Sequence, residues 1–177
     1  MKIHLDSARS GPFEWEESLT FEPAEVGCDP ASQLSAVEVR GSLSEAEPEL
    51  WLELAIAFRV SQPCDRCGRP AAADVRAVSR MLVVRRRRGD LAGELELSEE
   101  DLGVIEVAGD VLASEPLVAE QVQLEMPTRP LCREECRGLC PNCGGDRNER
   151  ACECESEATD PRWSALAELK GRLRAPN

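Results

Sequence analysis

Nine cysteines, eight of them in close pairs, constrain this 177-residue chain more than any other feature. The pairs are Cys64 with Cys67, Cys132 with Cys136, Cys140 with Cys143 and Cys152 with Cys154, which leaves Cys28 alone as a small buried hydrophobe. Such pairs become disulfides in an oxidising compartment and metal ligands in a reducing one. The opening residues Met1-Lys-Ile-His-Leu-Asp lack the apolar block of a signal peptide, and no stretch approaches the roughly 18 apolar residues of a membrane span. The expectation is therefore a soluble, cytoplasmic protein without a membrane partner, whose paired cysteines hold zinc.

Two pairs repeat one local pattern, Cys64-Asp-Arg-Cys67-Gly and Cys140-Pro-Asn-Cys143-Gly. In such a knuckle two thiolates converge on one tetrahedral ion, backbone N–H groups point at the sulfurs, and the glycine takes the left-handed conformation that closes the turn. Cys140, Cys143, Cys152 and Cys154 form a compact set for a local ion. Cys132 and Cys136 then pair naturally with Cys64 and Cys67 in a long-range clamp, although spacing also permits them to join Cys140 and Cys143. One or two structural zinc ions are expected.

Four thiolates leave an ion no open position, so metal catalysis is not expected. A thioredoxin-like use of Cys-x-x-Cys needs a βαβ setting with a helix N-terminus beside the thiol, and neither copy has one. The single histidine, His4, reads as a surface or strand-packed residue, and nucleophilic schemes built on a Cys/His or Ser/His pair have no other histidine to use. The chain reads as no enzyme, with no small-molecule substrate.

Alternation in the first third predicts sheet. Val37, Val39, Gly41 and Leu43 precede a turn at Glu45 to Pro48, and Leu50, Leu52, Leu54, Ile56 and Phe58 then alternate with more polar or smaller residues. Val75 to Val84 continues the meander as a third strand, and residues 89–110 read as a long acidic loop with short strands such as Val104 to Val107. Ser114 to Met126 predicts a helix with Leu117, Val118, Gln121 and Val122 on one face, stopped by Pro127. A terminal helix is marked by Asp160 as N-cap, Pro161, and the stripe Trp163, Leu166, Leu169 and Leu173. The expected architecture is α+β. An antiparallel β-rich domain with one packed helix occupies residues 1–128, and a Cys-rich zinc-stapled segment with a terminal helix occupies 129–177.

Charge is segregated. The net is −13, built from −8 over residues 1–60, +6 over 61–88, −11 over 89–128 and zero thereafter. Arg76, Arg80, Arg85, Arg86, Arg87 and Arg88 are candidate RNA-phosphate contacts. Against that reading stand the acidic total and the absence of stacking aromatics beside the arginines; the plainer alternative pairs the Arg-rich strand end with the Glu94 to Asp101 cluster. The acidic segments equally suit an adaptor or chaperone for a basic protein.

The stretch Leu131-Cys-Arg-Glu-Glu-Cys-Arg-Gly-Leu-Cys-Pro-Asn-Cys-Gly-Gly-Asp-Arg-Asn148, with Cys152-Glu-Cys154, Asp160-Pro-Arg-Trp-Ser-Ala-Leu-Ala-Glu-Leu169, Cys64 to Cys67 and Leu124-Glu-Met-Pro127, resembles the YceD family, the large ribosomal RNA subunit accumulation proteins. The resemblance covers roughly residues 50 to 173. It implies a ribosome-biogenesis factor that supports 23S rRNA accumulation, with ribosomal RNA or a large-subunit ribosomal protein as partner. It supplies no catalytic residue, and Arg85 to Arg88 lie outside its pattern.

Overall fold

The computed structural model describes residues 1–46, 49–86, 103–154 and 166. In chain order the elements are β1 (Lys2–His4), β2 (Phe13–Leu19), β3 (Gln33–Leu34), β4 (Val37–Ala46), β5 (Glu49–Pro63), β6 (Pro70–Arg86), β7 (Val104–Ala108), β8 (Val111–Ala113) and α1 (Ser114–Glu125). Two compact units result, Met1–Cys136 and Arg137–Asn177.

The first unit is built on a six-stranded sheet in the order β2-β4-β5-β6-β7, with β3 pairing β5. The expected hairpin forms with Leu43 opposite Leu52 and Gly41 opposite Leu54. The third strand runs from Pro70 to Arg86 and pairs with β5 from Pro63 opposite Pro70 to Leu50 opposite Val83. The sheet departs from the antiparallel expectation at one place: β7 lies parallel to β6, with Leu82 opposite Val104 and Arg86 opposite Ala108. The short strand expected at Val104 to Val107 is β7, and the expected acidic loop before it, residues 89–102, lies outside the described residues. Parallel pairing requires a connection that returns the chain to the same end of the sheet.

Alternation decides which face is covered. Val37, Val39, Leu43, Leu52, Leu54, Ile56, Met81 and Val83 are buried on one side, while Glu38, Arg40, Glu53, Arg76, Val78 and Arg80 are exposed on the other. The helix expected from Ser114 is α1, which lays Leu117, Val118 and Val122 into the core. Gln121 shares that side and accepts a hydrogen bond from the Ser79 hydroxyl on β6. His4 is exposed on β1, and Cys28 is half-buried against the core, where burial pushes its thiol up. The expected terminal helix falls outside the described residues, Leu166 excepted. No helix among the described residues is long and apolar enough to cross a membrane.

Candidate metal centres

Two groups of four sulfurs form, each with its ligand atoms within 4.8 Å of one another: Cys64, Cys67, Cys132 and Cys136 in the first unit, and Cys140, Cys143, Cys152 and Cys154 in the second. Of the combinations that spacing allows, the structure brings together the clamp and the local set. None of these cysteines is joined in a disulfide.

The two knuckles close in the same way. The N–H of Cys64 donates to the carbonyl of Arg69 at 2.8 Å, and that of Gly68 donates to the carbonyl of Cys64 at 2.8 Å. In the second knuckle Cys140 donates to Gly145 and Gly144 donates to Cys140, both at 2.8 Å. Gly68 and Gly144 sit at φ +72° and +69°, the left-handed region a side chain resists. The sequence echo is thus a backbone echo, and the turn turns its N–H groups toward the first sulfur of each pair.

The β5–β6 turn presents the first knuckle, and the chain beyond α1 returns to meet it. The N–H of Asp65 donates to the Pro130 carbonyl at 2.9 Å, and the Arg66 guanidinium donates to the carbonyls of Cys136 at 2.7 Å and Glu134 at 3.4 Å. Cys64 lies 3.8 Å from Cys136 and Cys67 lies 3.6 Å from Cys132, sulfur to sulfur. A tetrahedral ion with metal–sulfur bonds of about 2.3 Å sets its sulfurs roughly 3.8 Å apart, so these separations fit four thiolates around one zinc. Cys64, Cys67 and Cys136 are buried around Ala71, with Leu131 and Cys132 packed against them. The second group is more open, with Cys143 and Cys154 exposed and Cys140 buried. It is framed by Leu139 bridging to Asp146, the N–H of Arg147 donating to the Gly138 carbonyl at 3.0 Å, and the N–H of Arg137 donating to Asn148 Oδ1 at 2.8 Å.

Electrostatics matches the fit. Hydrogen bonds from backbone N–H groups, that of Cys132 foremost, hold the Cys64 thiol down at about 6 despite burial. The N–H groups of Cys143 and Asn142, with the Cys152 side chain, hold Cys140 at about 6. Their neighbours go the other way. Burial, then contact with Cys67, Cys136 and Cys64, pushes Cys132 up to about 12, and contact with Cys143 and Cys140, then burial, pushes Cys154 up to about 12. The Arg69 N–H pulls Cys67 down, but burial and the sulfurs of Cys136 and Cys64 outweigh it and raise that thiol. Each group thus holds one thiolate beside a sulfur that resists further negative charge, a donor pattern suited to a thiophilic divalent cation.

The arginines are placed differently from the cysteines. Arg76, Arg80 and Arg85 are exposed on β6; Arg86 is also on β6, and Arg87 and Arg88 lie outside the described residues. The expected Glu94 to Asp101 partner lies outside them too. Arg85 reaches Asp6 and Asp110 instead, and its guanidinium foremost holds the Asp6 carboxyl below its usual range. The expectation that no aromatic accompanies the arginines fails: the Arg80 guanidinium lies 4.4 Å from the centroid of the Trp51 ring. Trp51 is two register positions from Arg80 across the β5–β6 ladder, on the same face, a relation that sequence spacing hides. Arg66, which ties the two cysteine pairs of the first site, was also missed; its only signal was its place inside Cys-x-x-Cys.

A family model described as large ribosomal RNA subunit accumulation protein YceD matches residues 52–170. The chain belongs to the YceD family. The match begins in β5 and spans both cysteine groups. Uncharacterized proteins of Mycobacterium tuberculosis and Mycobacterium bovis are 31% identical over 115 residues, covering 61% of this chain and 49% of theirs. The chloroplastic YCED homolog 1 of Arabidopsis thaliana, a large ribosomal RNA subunit accumulation protein, is 30% identical over 57 residues, 32% of this chain and 18% of its own. The chain spans about half the length of the mycobacterial relatives it matches. No solved structure matches.

Proposed function

We propose that this chain is a non-enzymatic, cytoplasmic ribosome-biogenesis factor that supports 23S rRNA accumulation and large-subunit assembly, acting by binding ribosomal RNA or a large-subunit ribosomal protein, with two structural zinc ions. The observation that carries the reading is the family match, which takes in both four-cysteine groups. The absence of catalysis rests on saturation: each group offers four sulfurs to one ion and keeps no coordination position for substrate. Depleting the protein in its host and measuring 23S against 16S rRNA, with subunit profiles, tests the role. Selective loss of 23S rRNA and large subunits, restored by the intact chain, is the expected result; unchanged ratios would overturn it.

Between the two binding modes, a specific observation favours protein. Arg85 is engaged by Asp6 and Asp110, and Arg40 by Glu16 at 2.9 Å, so these two arginines of the sheet already face carboxylates rather than standing free for phosphate. The second reading is accordingly an acidic, zinc-stabilised adaptor or chaperone for a basic ribosomal protein. Salt-sensitive capture of large-subunit ribosomal protein from RNase-treated extract supports it, whereas RNA retention lost on mutating Arg76 and Arg80 supports the first.

A further inference from the structure

The sheet's outer face has no covering element among the described residues of the first unit. Three register rows run straight across four strands: Glu14, Ser42, Glu53 and Arg80; then Glu16, Arg40, Ala55 and Val78; then Ser18, Glu38, Ala57 and Arg76. Ala55 and Ala57 floor two shallow troughs, of about 550 and 600 Å³, that meet at Arg40 and Ala55, and Val78 stands 69% exposed beside them. Acid collects at the β2 side as Glu14 and Glu16, and base at the β6 side as Arg76 and Arg80.

We propose that this face pairs with the same face of a second copy of the chain, through a two-fold axis running along the strands between the two sheets. Charge chooses the partner and the axis. A two-fold along the strands lays each copy's β2 over its partner's β6, so Glu14 meets Arg80 of the other copy at the same height, twice by symmetry. An axis across the strands would lay β2 on β2, acid against acid. The small floor residues let the sheets approach to the roughly 10 Å of aligned sheet packing. In these rows four carboxylates stand against three guanidinium groups, so the rows are nearly neutral on a chain of net charge −13, and two copies meet here with little net repulsion. The four carboxylates oppose a nucleic acid on this face, and Arg76 with Arg80 opposes a uniformly basic peptide.

Four strands about 4.8 Å apart, over seven residues of about 3.4 Å, give a footprint near 450 Å² on each copy, well under the roughly 800 Å² of a standard interface, so the dimer is weak and concentration-dependent. Sedimentation of the untagged full chain from low micromolar to several hundred micromolar, at low salt, tests it. The average mass is expected to rise from one chain toward two. Glu14→Arg or Arg80→Glu alone should weaken association by about tenfold or more, and the combined reversal should restore it. Val78→Glu, which sets a new carboxylate on β6 against the partner copy's Glu16, should abolish association without touching either Glu14–Arg80 pair. A chain that stays monomeric, a dimer indifferent to these changes, or a double reversal that fails to restore association would overturn the proposal. So would RNA, a basic peptide or the chain's own C-terminal segment found on this face by cross-linking.

Discussion

Gly41 shows how one residue sets the packing of a sheet end. A Cβ at this position would stand 2.0 Å from the Trp15 indole, which lies across the backbone of β4 where any side chain would displace it. Replacing Gly41 with alanine should cost about 3 kcal/mol, at the upper end of overpacking effects, because the indole must leave its buried place. Urea unfolding measures this, and in a Trp15→Leu background the same methyl should cost much less. Thiol chemistry gives a second residue-scale prediction. At pH 7 Cys64, at about 6, is already a thiolate, whereas Cys132, at about 12, and Cys67, raised above its usual value, hold protons. Zinc entering the first group should therefore expel at least two protons, and its affinity should fall about a hundredfold for each pH unit lost near neutrality. Titration calorimetry in buffers of different ionisation enthalpy reads the proton count; heats independent of buffer would refute it.

At the scale of elements, the β5–β6 turn is both a hairpin connection and half of a metal site. Changing Cys64 and Cys67 together to serine should reduce bound zinc from two ions per chain to one, measured by elemental analysis of the purified protein, with the second group keeping its ion. Two ions retained would sever the hairpin from metal binding. The local parts of this design were legible. Strand alternation from Val37 to Phe58, the helix from Ser114 and the echo of the two Cys-x-x-Cys-Gly turns rest on near-neighbour physics, and the structure follows them. What was hidden depends on residues far apart in the chain. The parallel seat of β7, the Arg80–Trp51 contact and the capture of Arg85 by Asp6 and Asp110 follow from register and closure, which sequence periods do not encode. The cysteine sets are an intermediate case: the compact group was readable from proximity, and the clamp followed by assigning the cysteines that remained.

For the whole molecule, the two sites differ in what they close. The first joins cysteines up to 72 positions apart across the sheet, so its four sulfurs meet only when β5, β6 and the chain beyond α1 are in place. The second lies within fifteen residues, 140–154, of its own unit. Loop closure grows slowly with length, and the longer loop costs about 1.5 kcal/mol more to close in an unfolded chain. The larger difference is cooperativity: the first ion's affinity is coupled to the folding of the sheet, whereas the second needs only a local turn and its frame. Urea titration of the zinc-loaded chain should therefore release metal in two stages. One ion should leave together with loss of the β-sheet circular dichroism signal, and the other at higher denaturant, after that signal is gone. Excess zinc should shift the sheet transition upward, and Cys64→Ser should remove that shift while leaving the late release in place. A single release coinciding with the sheet transition, in both the original chain and the variant, would show that the two centres fold as one.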